Sequence, residues 1–250
     1  RGLSIREARE RIRSEVFAPI LSRHPEDAWA HALPNDALVV LALTYGRSDF
    51  SRSLALAASL GWDTDCNAAN VGCILGVRNG LAAFATGPDW RGPVADRLYL
   101  PTADGGRAIS DALREADFIV EIAHELLGEK WSKPKAGARF HFSLPGSVQG
   151  FRFDGMGTLE NIPHPLDSGQ RALELRYKLE PGQLVTALTP TFIPPEAINM
   201  PGYELLASPT LYPGQVIRAK VGAGTHNGGP VQVGLMVQYY GESDSTVACF

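Results

Sequence analysis

Hydrophobic positions recur at helical spacing through the first half of the chain and at every second position through the later part. From Arg1 to Leu21, Ile5, Ala8, Ile12 and Val16 share one face, with arginines and glutamates opposite, and Pro19 limits the helix. Ala37 to Tyr45 is an apolar run, Leu38, Val39, Val40, Leu41 and Leu43, that suits a buried strand or a buried helix, and Gly46 breaks it. Asp49 or Ser48 then caps a helix from Phe50 to Leu60, with Leu54, Ala57, Ala58 and Leu60 inward, and Gly61 ends it. The next helix starts at the pair Asp63 and Asp65 and runs to about Phe84. Its small residues Ala68, Gly72 and Gly76, with Ala69 and Cys73 beside them, are expected to pack closely on a neighbour. Thr86 to Pro93 is a loop with Trp90 as a packing anchor. Ile109 to Leu127 forms the last helix, burying Ala112, Ile119, Ala123 and Leu126, with Gly128 past its end and His124 in a structural role.

Beyond residue 128 the pattern changes. Residues 129–137 form a short basic linker containing Pro134 and Gly137. Apolar and polar residues then alternate through Ala138–Phe142, Phe151–Phe153, Ala172–Tyr177, Val216–Val221 and Val231–Tyr239, the period of antiparallel strands in a sandwich. The turn-rich phrase Ser208 to Gln215 looks like the sandwich modules appended to carbohydrate-active enzymes. The expected fold class is therefore a multidomain α and β protein, a helical domain over 1–128 followed by an antiparallel β-sandwich over 138–250.

Composition narrows the function classes. The 250 residues are 44% hydrophobic and 20% charged, enough to bury a core. A net charge of −4 gives no basic field for nucleic acid or an anionic membrane, and no apolar run approaches the ~20 residues of a spanning helix. No signal peptide leads the chain, and Cys66, Cys73 and Cys249 make no disulfide framework, so reduced thiols and a cytoplasmic setting are the default. Both ends read as cut, which leaves secretion open.

The candidate chemistry lies at Asp63 and Asp65. One reading is helix capping, since acids favour the positive end of the helix dipole. The other is a hard-cation site, because Mg²⁺, Mn²⁺ and Ca²⁺ take oxygen ligands. An EF-hand is excluded by register, the sixth position from Asp63 being Ala68 and the twelfth Ile74.

The run Gly61-Trp62-Asp63-Thr64-Asp65-Cys66-Asn67-Ala68-Ala69-Asn70-Val71-Gly72-Cys73-Ile74-Leu75-Gly76 closely resembles the C-terminal metal motif of the ADP-ribosylglycohydrolase family. The likeness extends upstream through His31–Leu38 and Leu41–Gly46 and downstream to about Gly128. It implies an all-α domain, settles the Ala37–Tyr45 run as helix, and places Asp63 and Asp65 among the ligands of two divalent cations, usually Mg²⁺ or Mn²⁺. The family commonly has a threonine ligand at the next position. Here it is Cys66, which the resemblance makes the third candidate metal ligand although a soft sulfur suits a hard ion poorly. The resemblance also sets His31 and Asn35 at the substrate cleft. The Thr-Asp-Asp cluster that supplies the family's other metal ligands occurs nowhere in the chain, so a missing N-terminal half is expected and no residue is assigned as catalytic acid or base.

The function this implies is metal-dependent hydrolysis of ribosyl N- or O-glycosidic bonds, with ADP-ribose, free or protein-linked, as partner. Two other readings stand beside it. One is a non-catalytic sandwich that binds a glycan or protein, tethered to an incomplete helical domain. The other is a glycosidase acting on a different glycoside.

Overall fold

The computed structural model describes residues 2–102, 105–199, 205, 209–222, 231–240 and 246–249. The chain divides into two compact units, one comprising Arg1–Arg97 and Asp111–Leu188, the other Leu98–Ser110 and Thr189–Phe250. The division does not fall at residues 129–137.

The first unit opens with α1, Ile5–Ile12, started by a capping box in which Ser4 and Glu7 exchange side-chain and backbone hydrogen bonds. A wide π turn over Arg13–Phe17 leads into α2, Ala18–Leu21. Pro19 has no N–H to offer the preceding turn, which accounts for the widening just before it. Helix α3, Ala32–Gly46, confirms the helical reading of the apolar run and begins earlier than the run itself. Helix α4, Phe50–Ser59, is capped by Asp49, whose carboxylate accepts the Arg52 N–H at 2.6 Å. Between them the left-handed residues are Arg47 and Ser48 rather than Gly46. Gly46 serves close approach instead, because a Cβ there would lie 1.9 Å from Ser53 Oγ.

Helix α5, Thr64–Asn79, buries Asn67, Val71 and Leu75. The small-residue face packs only in part: Ala68 lies against the core and Gly72 reaches contact distance of Leu54, whereas Gly76 faces open space and Cys73 is exposed. The buried stripe meets Leu38, Val39, Leu41 and Ala42 of α3 and Ala57 of α4 to form the core. A 3₁₀ turn over Gly80–Phe84 follows, and the exposed Trp90, expected as a packing anchor, ties the loop by its indole N–H, which donates to Ser51 Oγ at 3.0 Å.

Strands β1, Arg97–Tyr99, and β2, Ile109–Asp111, pair with each other. The segment expected to open the last helix is thus a strand, and α6, Ala112–Leu126, starts three residues later on an Asp111 cap. Of α6 only Leu113 is buried; Ile119 and Leu126, expected inward, are 67% and 83% exposed. His124 is structural, stacked on Trp131 and paired with Glu129 at 2.8 Å.

In the first unit β3, Arg152–Asp154, pairs antiparallel with β6, Thr186–Leu188, and β4, Gly157–Pro163, with β5, Arg171–Tyr177. In the second, a short helix α7, Pro195–Ile198, packs Ala197 with Ile193, Ala108 and Ile109, and β7, Val237–Tyr240, pairs antiparallel with β8, Thr246–Cys249.

The expected sandwich is not formed by the described residues, whose sheets are four two-stranded ladders. Ala138–Phe142 makes no strand. Phe140 and Phe142 both set their rings against Phe151, at 4.9 and 5.8 Å, and Phe142 itself has φ 53°. An aromatic cluster at a turn therefore produces the alternation that resembles a strand. Residues 216–222 join no ladder, only the end of the 231–239 run pairs, and Ser208 lies outside the described residues.

Candidate metal centre

The turn that carries the acids is shaped by three consecutive unusual conformations. Gly61 has φ 103°, Trp62 has φ 57°, and Asp63 sits at φ −84°, ψ 73° before the helix begins. A left-handed tryptophan is strained by about 1–3 kcal/mol, so its surroundings must hold it. Its ring stacks on Phe17 at 4.6 Å, and the Arg9 guanidinium lies 5.9 Å over it. Arg9 also donates from Nε to the Leu60 carbonyl, and a Cβ on Gly61 would lie 3.0 Å from its Nη2. The face of α1 that looks like a solvated charge run thus supplies the brace under the acidic turn.

From the other side the turn is held by α3. Asn35 is buried, and its Oδ1 accepts the Asp63 N–H at 3.2 Å and Asn67 Nδ2 at 2.9 Å. Its Nδ2 donates to the carbonyls of Trp29 and His31 at 2.9 and 3.0 Å. The Asp63 carbonyl accepts the Asn67 N–H at 3.0 Å and starts α5. Both backbone groups of Asp63 are therefore engaged.

Its carboxylate is not spent on the helix. Although Asp63 occupies the cap position, its side chain accepts no helix amide, which removes the capping explanation for this residue. Ligand atoms of Asp63, Asp65 and Cys66 all lie within 4.8 Å of one another, with Asp63 partly buried and the other two exposed. A hydrogen bond from Asp63 holds the Asp65 carboxyl below its usual range, helped by the amides of Cys66 and of Asp65 itself. The same Asp63 contact, then burial and the two negative charges, push the Cys66 thiol up.

Those contacts test the site against a cation. Two carboxyl groups near enough to share a proton repel each other once both ionise, and a hard divalent ion relieves that repulsion with oxygen donors. The pair fits such an ion. The sulfur, biased toward its protonated form, adds no hard donor.

The two residues expected at a substrate cleft separate. His31 caps α3, its Nδ1 accepting the Leu33 N–H at 3.3 Å, and its Nε2 has no partner among the described residues. Asn35 is buried, and both donors and both acceptor positions of its amide are occupied inside the protein. Arg9, Trp62 and Asn67 were not marked by sequence reasoning. The two aspartates three and one residues before Cys66 were the only local signal.

No curated protein and no solved structure gives a match to this sequence. The profile of the ADP-ribosylglycohydrolase family does, over residues 3–132, just over half of the chain. That span holds α1 to α6 and the whole acidic turn with its braces, and on it the chain belongs to the ADP-ribosylglycohydrolase family.

Proposed function

We propose that this chain contributes the metal-holding acids Asp63 and Asp65 of a hydrolase that cleaves ribosyl N- or O-glycosidic bonds, with Mg²⁺ or Mn²⁺ as the ion and ADP-ribose as the recognised group. Membership supports a glycohydrolase-like function; the family is generally divalent-metal dependent and acts on ADP-ribosylated substrates. The observation that carries the reading is an Asp63 carboxylate that stands at a helix cap without capping, in contact with a second carboxylate. On this reading residues 1–128 are the hydrolase part, joined through 129–137 to the segment 138–250.

Asp63 and Asp65 would hold the ion. When bound, it orients ribose hydroxyls and positions a water. Neither acid is assigned as general base, since lone pairs engaged by a cation are poor proton acceptors. The Cys66 thiol, biased toward its protonated form, would add no hard donor to that ion, and His31 Nε2 is the group available to meet a hydroxyl or phosphate oxygen.

Mn²⁺ titration by calorimetry tests this directly. Wild-type protein should bind one ion, and Asp63→Ala and Asp65→Ala should each weaken binding by more than about tenfold. In parallel, release of ADP-ribose from an ADP-ribosylated peptide should depend on added Mn²⁺ and stop in chelator. A wild-type protein that binds no Mn²⁺ would overturn the metal assignment.

A further inference from the structure

The geometry points to Asn35 as a positioning residue that fixes the metal acids and His31 through one buried amide. This rests on the reading of Asp63 and Asp65 as cation ligands, and extends it to a residue that never meets the ion.

Asn35 is 7% exposed and makes four hydrogen bonds, two donated and two accepted. That saturates a side-chain amide, and it fixes the orientation of the group, because nitrogen faces two carbonyls and oxygen faces two N–H donors. Each partner belongs to one side of the candidate centre. The Asp63 amide and the Asn67 side chain set where α5 begins, and so where the Asp63 carboxylate originates. The carbonyls of Trp29 and His31 set the approach to α3, and so where the capping imidazole stands. No other side chain is bonded to both segments among the described residues. Removing the amide takes one partner at once from the part-buried Asp63 N–H, the Trp29 and His31 carbonyls and the buried Asn67 side chain.

The consequence is specific. Asn35→Ala should lower Mn²⁺ affinity by about 10- to 100-fold, the range for groups that orient metal ligands without touching the metal. Asn67→Ala, which breaks one of the same bonds, should lower it less, and the double variant should fall short of the product of the two losses. Leu75→Ala, in the same helix but about three turns from the acids, serves as a control: it destabilises the fold yet should leave Mn²⁺ affinity within about twofold of wild type, in conditions where circular dichroism shows every variant folded. A metal-free measurement runs beside it. Amide exchange at Asp63 should be about tenfold faster in Asn35→Ala than in wild type, because its acceptor is gone.

Wild-type Mn²⁺ affinity in Asn35→Ala, or an equal loss in Leu75→Ala, overturns the positioning role. If wild-type protein itself binds no Mn²⁺, the metal reading fails separately, and exchange at Asp63 decides the matter: acceleration supports the role and unchanged protection refutes it.

Discussion

Asp111 is where the family's last helix is tied to the segment that follows it, and its removal has a calculable effect. It is fully buried, and its carboxylate accepts the Arg114 N–H at 3.0 Å, Arg139 Nη1 at 2.7 Å, and Gln149 Nε2 at 3.3 Å. Gln149 in turn accepts the N–H groups of His141 and Phe142, so one aspartate holds the cap of α6 and the 139–149 turn together. In Asp111→Ala the lost cap costs about 1 kcal/mol. The buried Gln149 amine left with only a weak partner adds about 1–2 kcal/mol. Breaking a buried ion pair costs about 3–5 kcal/mol, but Arg139 is one-third exposed and recovers water, so that part is discounted to about 1 kcal/mol. The expected loss is about 3–4 kcal/mol, read in urea unfolding as a lower midpoint with unchanged slope. Asp111→Asn keeps an acceptor for the Arg114 N–H and should lose only about half as much. A loss under about 1 kcal/mol for the alanine variant, or equal losses for the two, would refute this accounting.

Other expectations follow from the acidic turn and the core. Because Cys66 is raised above its ordinary value, its alkylation by iodoacetamide at pH 8 should be slower than that of an unstructured peptide thiol, and faster in Asp63→Asn. Mn²⁺ that neutralises the acids without touching sulfur should speed that reaction; protection would place Cys66 in the metal shell after all. Asp65 is lowered, so whatever stability its ionised form contributes is present at neutral pH and is lost only below about pH 4 as the carboxylate protonates. Mn²⁺ affinity should accordingly stay level from pH 8 to about pH 5 and fall below it; a fall already complete at pH 6 would contradict the lowered value. Gly46→Ala would set a Cβ 2.9 Å from the Ser53 Cα as well as against its hydroxyl, so no rotamer change relieves it, and about 1–3 kcal/mol of stability should be lost. An alanine variant as stable as wild type would show that α3 and α4 separate freely.

Much of the helical part was legible because its information is local. Capping at Asp49, the amphipathic face of α1 and the stop after Leu60 each rest on residues three or four apart. The apolar run of α3 was ambiguous for a physical reason: Val40 is as apolar as Leu38, yet it is 61% exposed while Leu38 is fully buried, so no periodicity marks an inner face. Helix α6 misled in the same way, with Phe118, Ile119 and Ile122 all exposed. The sandwich is not formed among the described residues because period two marks side chains that meet on one side of the chain whether or not the backbone is a strand. Phe140 and Phe142 satisfy it by meeting one ring.

The site divides along the same line. The acidic pair announces itself within three residues, whereas everything that aims it comes from afar: Asn35 lies 28 residues from Asp63 and 32 from Asn67, and Arg9 reaches Leu60 across 51. Helix geometry explains why the two kinds of information meet here. Asp63, Asn67, Val71 and Leu75 follow one another at intervals of four, so the cap position heads the stripe that α5 buries. The backbone of Asp63 is thereby drawn against the core and bonded at both its N–H and its C=O, while the turn conformation before it directs the side chain away from the helix amides. An aspartate anchored by its main chain, whose side chain caps no amide and meets the neighbouring Asp65 and Cys66 instead, keeps a fixed origin and a carboxylate turned toward the other candidate ligands. Those are the two properties a cation ligand needs, and a capping aspartate has only the first.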